Sequence, residues 1–179
     1  MPTLFEIETD RLLLRRLKVE DAPDYHALET DEDVKRFLSR PSRLTVQDYA
    51  DSIEKGVPGL ATMLAVTLKK TGEFLGRCGF TYNDFLDGWE INIVLHRRYW
   101  GYGYASEIGS SLISRGFDLL GCQIVYGVVD AQNTASIHLC EKIGLVRQPN
   151  VQFSRDGRPA QVYATKQSQS SGNPARHPG

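Results

Sequence analysis

The sequence predicts a single α/β domain, and three observations carry that prediction. A pronounced helical periodicity over residues 105–120 stands among alternating or β-branched apolar runs. Such runs occur both before and after it. The chain has 179 residues, 41% of them apolar and 24% charged, which suits one hydrophobic core. The domain is expected to occupy residues 1–166. From Gln167 onward Ser, Gln, Gly, Pro and Asn dominate, and such a tail is expected to be disordered because it has too little apolar surface to bury.

Taken in order, residues 11–17 are a short apolar run bounded by charge and read as a first strand. Residues 19–38 turn acidic and helical, with Asp and Glu near the helix starts. A second helix is predicted over residues 45–55, where Thr45 and Asp48 have the spacing of a capping pair and Gly56-Val57-Pro58-Gly59 stops the run. Strand-like runs at residues 62–68 and 74–80 flank Lys70-Thr71-Gly72-Glu73, a hairpin pattern. Residues 89–95 form the next strand, with one carboxylate, Glu90, near its start.

The helix that follows places Ala105, Ile108, Gly109, Leu112, Ile113, Gly116, Phe117 and Leu120 at intervals of three and four. Gly109 and Gly116 fall on its apolar face, where a missing side chain lets the helix approach a sheet. Residues 124–129 are a β-branched strand, and residues 133–143 a helix ended by Gly144. Two last strands flank Asp156-Gly157-Arg158-Pro159.

Charge and composition narrow the function. With 21 basic and 22 acidic side chains the net charge is −1, which argues against a nucleic-acid partner. Residues 1–60 carry 9 basic and 13 acidic side chains (−4) and the remainder 12 and 9 (+3), so an anionic ligand would favour the C-terminal part. Cys78, Cys122 and Cys140 have neither zinc nor disulfide-framework spacing, and His26, His96, His138 and His177 have no ligand spacing, so no metal is expected. No apolar run approaches the roughly 18 residues of a membrane span, and the N-terminus lacks a signal-peptide layout. The chain reads as cytoplasmic, with no membrane partner.

The segment His96-Arg97-Arg98-Tyr99-Trp100-Gly101-Tyr102-Gly103-Tyr104-Ala105-Ser106-Glu107 sets two glycines and an alanine between a strand end and a helix start. Small residues there let backbone N–H groups surround an anion, and the helix dipole adds partial positive charge. A phosphate or pyrophosphate is the natural guest, with Arg97 and Arg98 placed to add charge at the rim. The Gly-Lys-Ser/Thr of a P-loop is absent. A dinucleotide fingerprint would need a third glycine where Ser106 stands.

Together these segments resemble the GNAT superfamily of acyl-CoA-dependent N-acetyltransferases, in particular the RimJ and RimL branch that acetylates ribosomal-protein N-termini. The signposts are Glu8-Thr9-Asp10-Arg11-Leu12-Leu13-Leu14-Arg15, Trp100-Gly101-Tyr102-Gly103-Tyr104-Ala105-Ser106-Glu107, Asn133-Thr134-Ala135-Ser136 and Glu141-Lys142-Ile143-Gly144. The resemblance implies a mixed, mostly antiparallel, splayed sheet with helices on both faces. The pyrophosphate of acetyl-CoA would lie on main-chain N–H groups of Gly101, Tyr102, Gly103, Tyr104 and Ala105, with Trp100 in the place of the usual Gln or Arg. Pantetheine would pair with backbone at Ile93, Val94 and Leu95, and Asn133 and Ser136 match positions that contact it. Main-chain N–H groups exposed by the splay could stabilise a tetrahedral oxyanion.

Acetyl transfer needs a neutral amine and a proton for the departing thiolate. Glu90 matches the family's general base, and burial would raise its pKa from about 4.3 toward neutrality. Cys140 stands where many relatives carry a Tyr acid; it is either the general acid or a packing residue. The expected activity is acetyl transfer from acetyl-CoA to a primary amine, a protein N-terminus or a small amine, by a monomer or homodimer. The alternatives are a non-catalytic acyl-CoA sensor and, more distantly, a nucleotide-dependent oxidoreductase.

Overall fold

Apolar side chains on alternate positions give each strand of the first half a face to bury, and those strands pair in the order the chain supplies them. A computed structural model describes residues 6–38, 43–57 and 62–166. In it β1 (Ile7–Glu8), β2 (Leu12–Arg16), β3 (Met63–Leu68), β4 (Phe74–Asn83) and β5 (Gly88–Leu95) lie side by side, each antiparallel to its neighbour. β6 (Ile124–Asp130) joins β5 in parallel. The short strands β7 (Val146–Arg147) and β8 (Phe153–Arg155) both pair with β9 (Arg158–Lys166), which is antiparallel to β6 along its whole length. The sheet is thus mixed and mostly antiparallel, as expected. The segment from Gln167 lies outside the described residues.

One face of the sheet is covered by α1 (Ala22–Thr30), the single-turn α2 (Glu32–Lys35) and α3 (Val46–Glu54). Tyr25, Leu28 and Tyr49 of these helices bury against Ala65 and Phe74. On the other face α4 (Tyr104–Leu120) packs Ile108 and Leu112 onto Leu64, Val66, Phe80 and Val125, and α5 (Thr134–Lys142) lies beside it. Alternation along β3, with Ala65 on one face and its neighbours on the other, holds two cores on one sheet.

Two features depart from the sequence reading. The acidic stretch is two helices, because Asp31 is extended (φ −62°, ψ 125°) and its carboxylate accepts from the N–H groups of Asp33 and Val34. A side chain that satisfies backbone donors locally ends one helix and caps the next. The strand pairs also include β1 and β7, which at two residues each are too short to show periodicity. Thr45 and Asp48 do form a reciprocal capping box at the start of α3. A Cβ on Gly116 would lie 2.8 Å from Cζ of Phe80, so this glycine brings α4 down onto β4.

Candidate active site

β5 and β6 pair only at Trp89–Val125 and Glu90–Tyr126. Beyond Glu90 they diverge: β5 stays hydrogen-bonded to β4 through Leu95, and β6 stays paired with β9 through Asp130. The result is a fork whose arms offer unzipped main chain to whatever lies between them. Both arms lead at once into helices, β5 through residues 96–103 into α4 and β6 through residues 131–133 into α5. Two helix N-termini therefore border the open end, a placement that favours an anion.

Gly103, at the head of α4, has φ +79° and provides no side-chain cap, and Gly101 has φ +82°. Positive φ is the backbone conformation that favours glycine at both positions, and a Cβ at Gly101 would meet nothing within 4 Å. The turn is held from behind by the β1–β2 connection. Glu107, in the first turn of α4, accepts from Thr9 Oγ1 (2.5 Å), Arg11 N (2.9 Å) and Arg11 Nε (2.7 Å). Arg11 Nη1 also donates to the Tyr102 carbonyl at 3.0 Å, and its guanidinium lies 4.4 Å from the centroid of the Tyr104 ring, which stacks on Tyr102. Trp100 donates its indole N–H to the Leu95 carbonyl at 2.8 Å, closing the end of β5.

Glu90 sits at the apex of the fork, 5% exposed, on the α1/α3 face. Its Oε2 accepts from Asn83 Nδ2 at 3.0 Å and from Arg155 Nη2 at 2.5 Å. Further along the same face Arg158 bridges to Asp130 at 3.1 Å and donates to the carbonyls of Arg36 (3.0 Å) and Leu38 (3.1 Å). Arg155, Arg158, Asp130, Val128 and Phe37 line a cavity of about 30 Å³. At the other arm Arg97 pairs with Asp33 at 2.6 Å, so the α2 region spans the mouth and is fastened to both arms.

The chain matches the acetyltransferase (GNAT) domain over residues 11–146. It belongs to the GNAT acetyltransferases. It is 31% identical over 153 residues, 83% of this chain and 84% of the relative, to an uncharacterized N-acetyltransferase, p20, of Bacillus licheniformis. In fold it is similar to an acetyltransferase (GNAT family) from Bacillus anthracis, with TM-score 0.77, 24% identity and coverage of 90% of this chain and 98% of that one. It also resembles spermidine N-acetyltransferase from Vibrio cholerae, solved in complex with CoA and spermine, with TM-score 0.73, 18% identity and coverage of 87% and 95%. This GNAT chain is an acetyl-CoA-dependent acetyltransferase. Among the described residues no helix is long and apolar enough to cross a membrane, and no group of three His, Cys, Asp or Glu is placed to hold a metal.

Within this GNAT domain the other site candidates divide. Ile93 packs into the α4 side and Val94 into the α1/α3 side, while Leu95 is buried at the end of the arm. Asn133 caps α5, its Oδ1 accepting from Ser136 N at 3.1 Å, which puts both residues beside the β6 arm. Cys140 lies on the face opposite Glu90, packed with Leu145 and Tyr163, its Sγ 3.0 Å from where a Cβ on Gly127 would stand. Burial, with the charges of Glu141 and Glu90 added, pushes the Cys140 thiol up to about 12. Arg97 and Arg98 turn to Asp33 and Glu73, so acids, not the glycine turn, are their partners. Arg155, Asn83, Arg11 and Glu107 have no role that the sequence alone assigns. Arg11 and Glu107 lay inside two of the quoted signposts, whereas nothing local marks Arg155.

Proposed function

We propose that this chain moves acetyl from acetyl-CoA to a primary amine by direct attack in a ternary complex, with Glu90 as the base. The observation that carries the reading is the fork with a buried carboxylate at its apex, between strands that both end at helix N-termini. The residues present fit acetyl-CoA. The edge of β5 that β6 leaves open around Ile93, Val94 and Leu95 can exchange hydrogen bonds with the amides of pantetheine, the Leu95 carbonyl being already held by Trp100. The open turn from Gly101 through Ala105 suits a pyrophosphate, and Trp100 and Arg11 fix its shape.

Glu90 takes the proton from the ammonium of the acceptor, directly or through a water, and leaves a nucleophilic amine. The nitrogen then forms its bond to the thioester carbonyl carbon, and N–H groups on the opened edges face the oxygen as it gains charge. The C–S bond breaks, the nitrogen gives up its second proton to water and the sulfur is protonated. A thiol held near 12 is a weak donor to a thiolate of lower basicity, and the close fit of Cys140 against Gly127 supports packing; water then supplies this proton. That Cys78, Cys122 and Cys140 are all free supports a reducing, cytoplasmic setting.

The test is Glu90→Gln, nearly isosteric, assayed by acetyl-CoA-dependent thiol release. Turnover is expected to fall about 10²-fold or more, the scale for losing a positioned base. Stabilisation of the fold by CoA is expected to persist. Unchanged turnover across the neutral range would remove Glu90 from the mechanism. Binding of CoA with no turnover on any amine would favour the sensor.

A further inference from the structure

We propose that Arg155 makes the acceptor site selective for small amines that also carry a carboxylate close to the reacting nitrogen, amino acids in short, over polyamines and protein N-termini. This rests on the reading of Glu90 as the base. The acidic N-terminal part of the sequence would by itself favour a purely cationic acceptor, but the fold answers that charge from within. The acids around the mouth are engaged: Glu90 by Arg155, Asp130 by Arg158, Asp33 by Arg97, and Asp31 by the first N–H groups of α2. A polyamine, whose extra ammonium groups need unpaired carboxylates, finds none among these four.

The two arginines on this face differ. Arg158, its side chain 41% exposed, is held by three partners, Asp130 and the carbonyls of Arg36 and Leu38, which commit it to the segment at the mouth. Arg155 gives its one hydrogen bond among the described residues to Glu90, and its side chain is 30% exposed while that of Glu90 is 6% exposed. A guanidinium has five N–H donors in a planar fork suited to a carboxylate, so Arg155 keeps donors for a ligand at the mouth. The Glu90–Arg155 pair thus presents a negative and a positive centre side by side at the point where the amine must arrive. A zwitterion complements both, its ammonium against Glu90 and its carboxylate against Arg155. A simple ammonium meets attraction from one and repulsion from the other. Phe153 lies under the Arg155 guanidinium, 5.7 Å from its ring centroid, and Phe85 packs edge-on against Phe153, so an apolar wall borders the same spot.

The experiment is thiol release from acetyl-CoA with a panel of amino acids, each beside its decarboxylated amine, together with spermidine and a peptide with a free N-terminus. The amino acid of at least one pair is expected to exceed its decarboxylated partner by about tenfold or more in kcat/KM, a modest value for one charged contact. In Arg155→Gln that ratio is expected to collapse, the amino acid losing about tenfold more in kcat/KM than its decarboxylated partner, with the excess in KM. Loss of kcat on all amines alike, with the ratio kept, would make Arg155 a positioning residue for Glu90 and overturn the inference. Turnover of spermidine or the peptide in preference to every amino acid would overturn it too, leaving the acetyl-transfer reading intact. No turnover on any amine by a chain that still binds CoA would sink that reading, and this one with it. A CoA-dependent rise in the melting temperature of Arg155→Gln serves as the folding control.

Discussion

Removing Glu107 should loosen the glycine turn proposed to hold acetyl-CoA, without touching the chemistry. Its carboxylate collects three hydrogen bonds, from Thr9 Oγ1, Arg11 N and Arg11 Nε, across some 96 to 98 positions of sequence. Bonds to a charged acceptor are each worth about 1.5–3 kcal/mol when sheltered, but an exposed ion pair contributes only about 0–1. The Arg11 side chain is 45% exposed, so its guanidinium contact belongs with the smaller values. Glu107→Ala should therefore cost about 2 kcal/mol in all, or about 4–8 °C of melting temperature for a domain of this size. Burial pushes the Glu107 carboxyl up, but the bonds from Thr9 and Arg11 together outweigh it and hold the group below its ordinary value. A depressed carboxyl contributes stability above its unfolded pKa, about 4.3, and that contribution disappears as pH falls through the folded value. Melting curves from neutral pH to about pH 3 should thus show parent and variant converging in acid. Because Arg11 also holds the Tyr102 carbonyl and covers Tyr104, the KM for acetyl-CoA should rise while kcat holds. Equal melting temperatures at neutral pH with an unchanged KM would refute the view that this clamp shapes the turn.

Gly103→Val should weaken CoA binding by about an order of magnitude or more; the cause is strain at φ +79°, since a Cβ there would meet only Arg11 Nη2, at 3.6 Å, and titration calorimetry gives the answer. Cys140→Ala should cost about 1 kcal/mol of stability and leave turnover at saturating acetyl-CoA near the parental value, whereas a rate loss beyond about tenfold with stability kept would make the thiol catalytic. His96 is 8% exposed, its Nε2 has no hydrogen-bond partner among the described residues, and burial, aided by Arg98, lowers its pKa. The unfolded chain then takes up that proton first, so stability should decline as pH drops below about 6.5, and His96→Phe should flatten the decline in a pH series of melting curves.

What the sequence revealed followed the range of the interactions involved. α4 was legible because its apolar spacing is repeated over several turns, and the α3 start because Thr45 and Asp48 act within one turn. The glycine turn was legible because positive φ requires glycine at Gly101 and Gly103, and Glu90 because a lone carboxylate interrupts an apolar strand. The partners of Glu90 were not. Arg155 lies 65 positions away on a strand of three residues, and only the closing of β9 against β6 brings it to the apex. Arg97 and Arg98 looked like phosphate ligands from proximity in sequence, yet the fold supplies Asp33 and Glu73 as partners from elements that the spacing does not connect to them.

The two residue pairs that join β5 to β6 have a mechanical consequence. The sheet is two half-sheets, β1 to β5 and β6 to β9, sewn together at Trp89–Val125 and Glu90–Tyr126 and otherwise bridged by helices and side chains. Each half keeps its own ladders, so the ligand-free chain has the makings of two cooperative units that open to amide exchange separately. A pantetheine paired with both arms, as proposed for acetyl-CoA, would replace the missing stitches. The donor would then supply part of the continuity of the sheet it binds, and the two units would exchange as one only while it is in place.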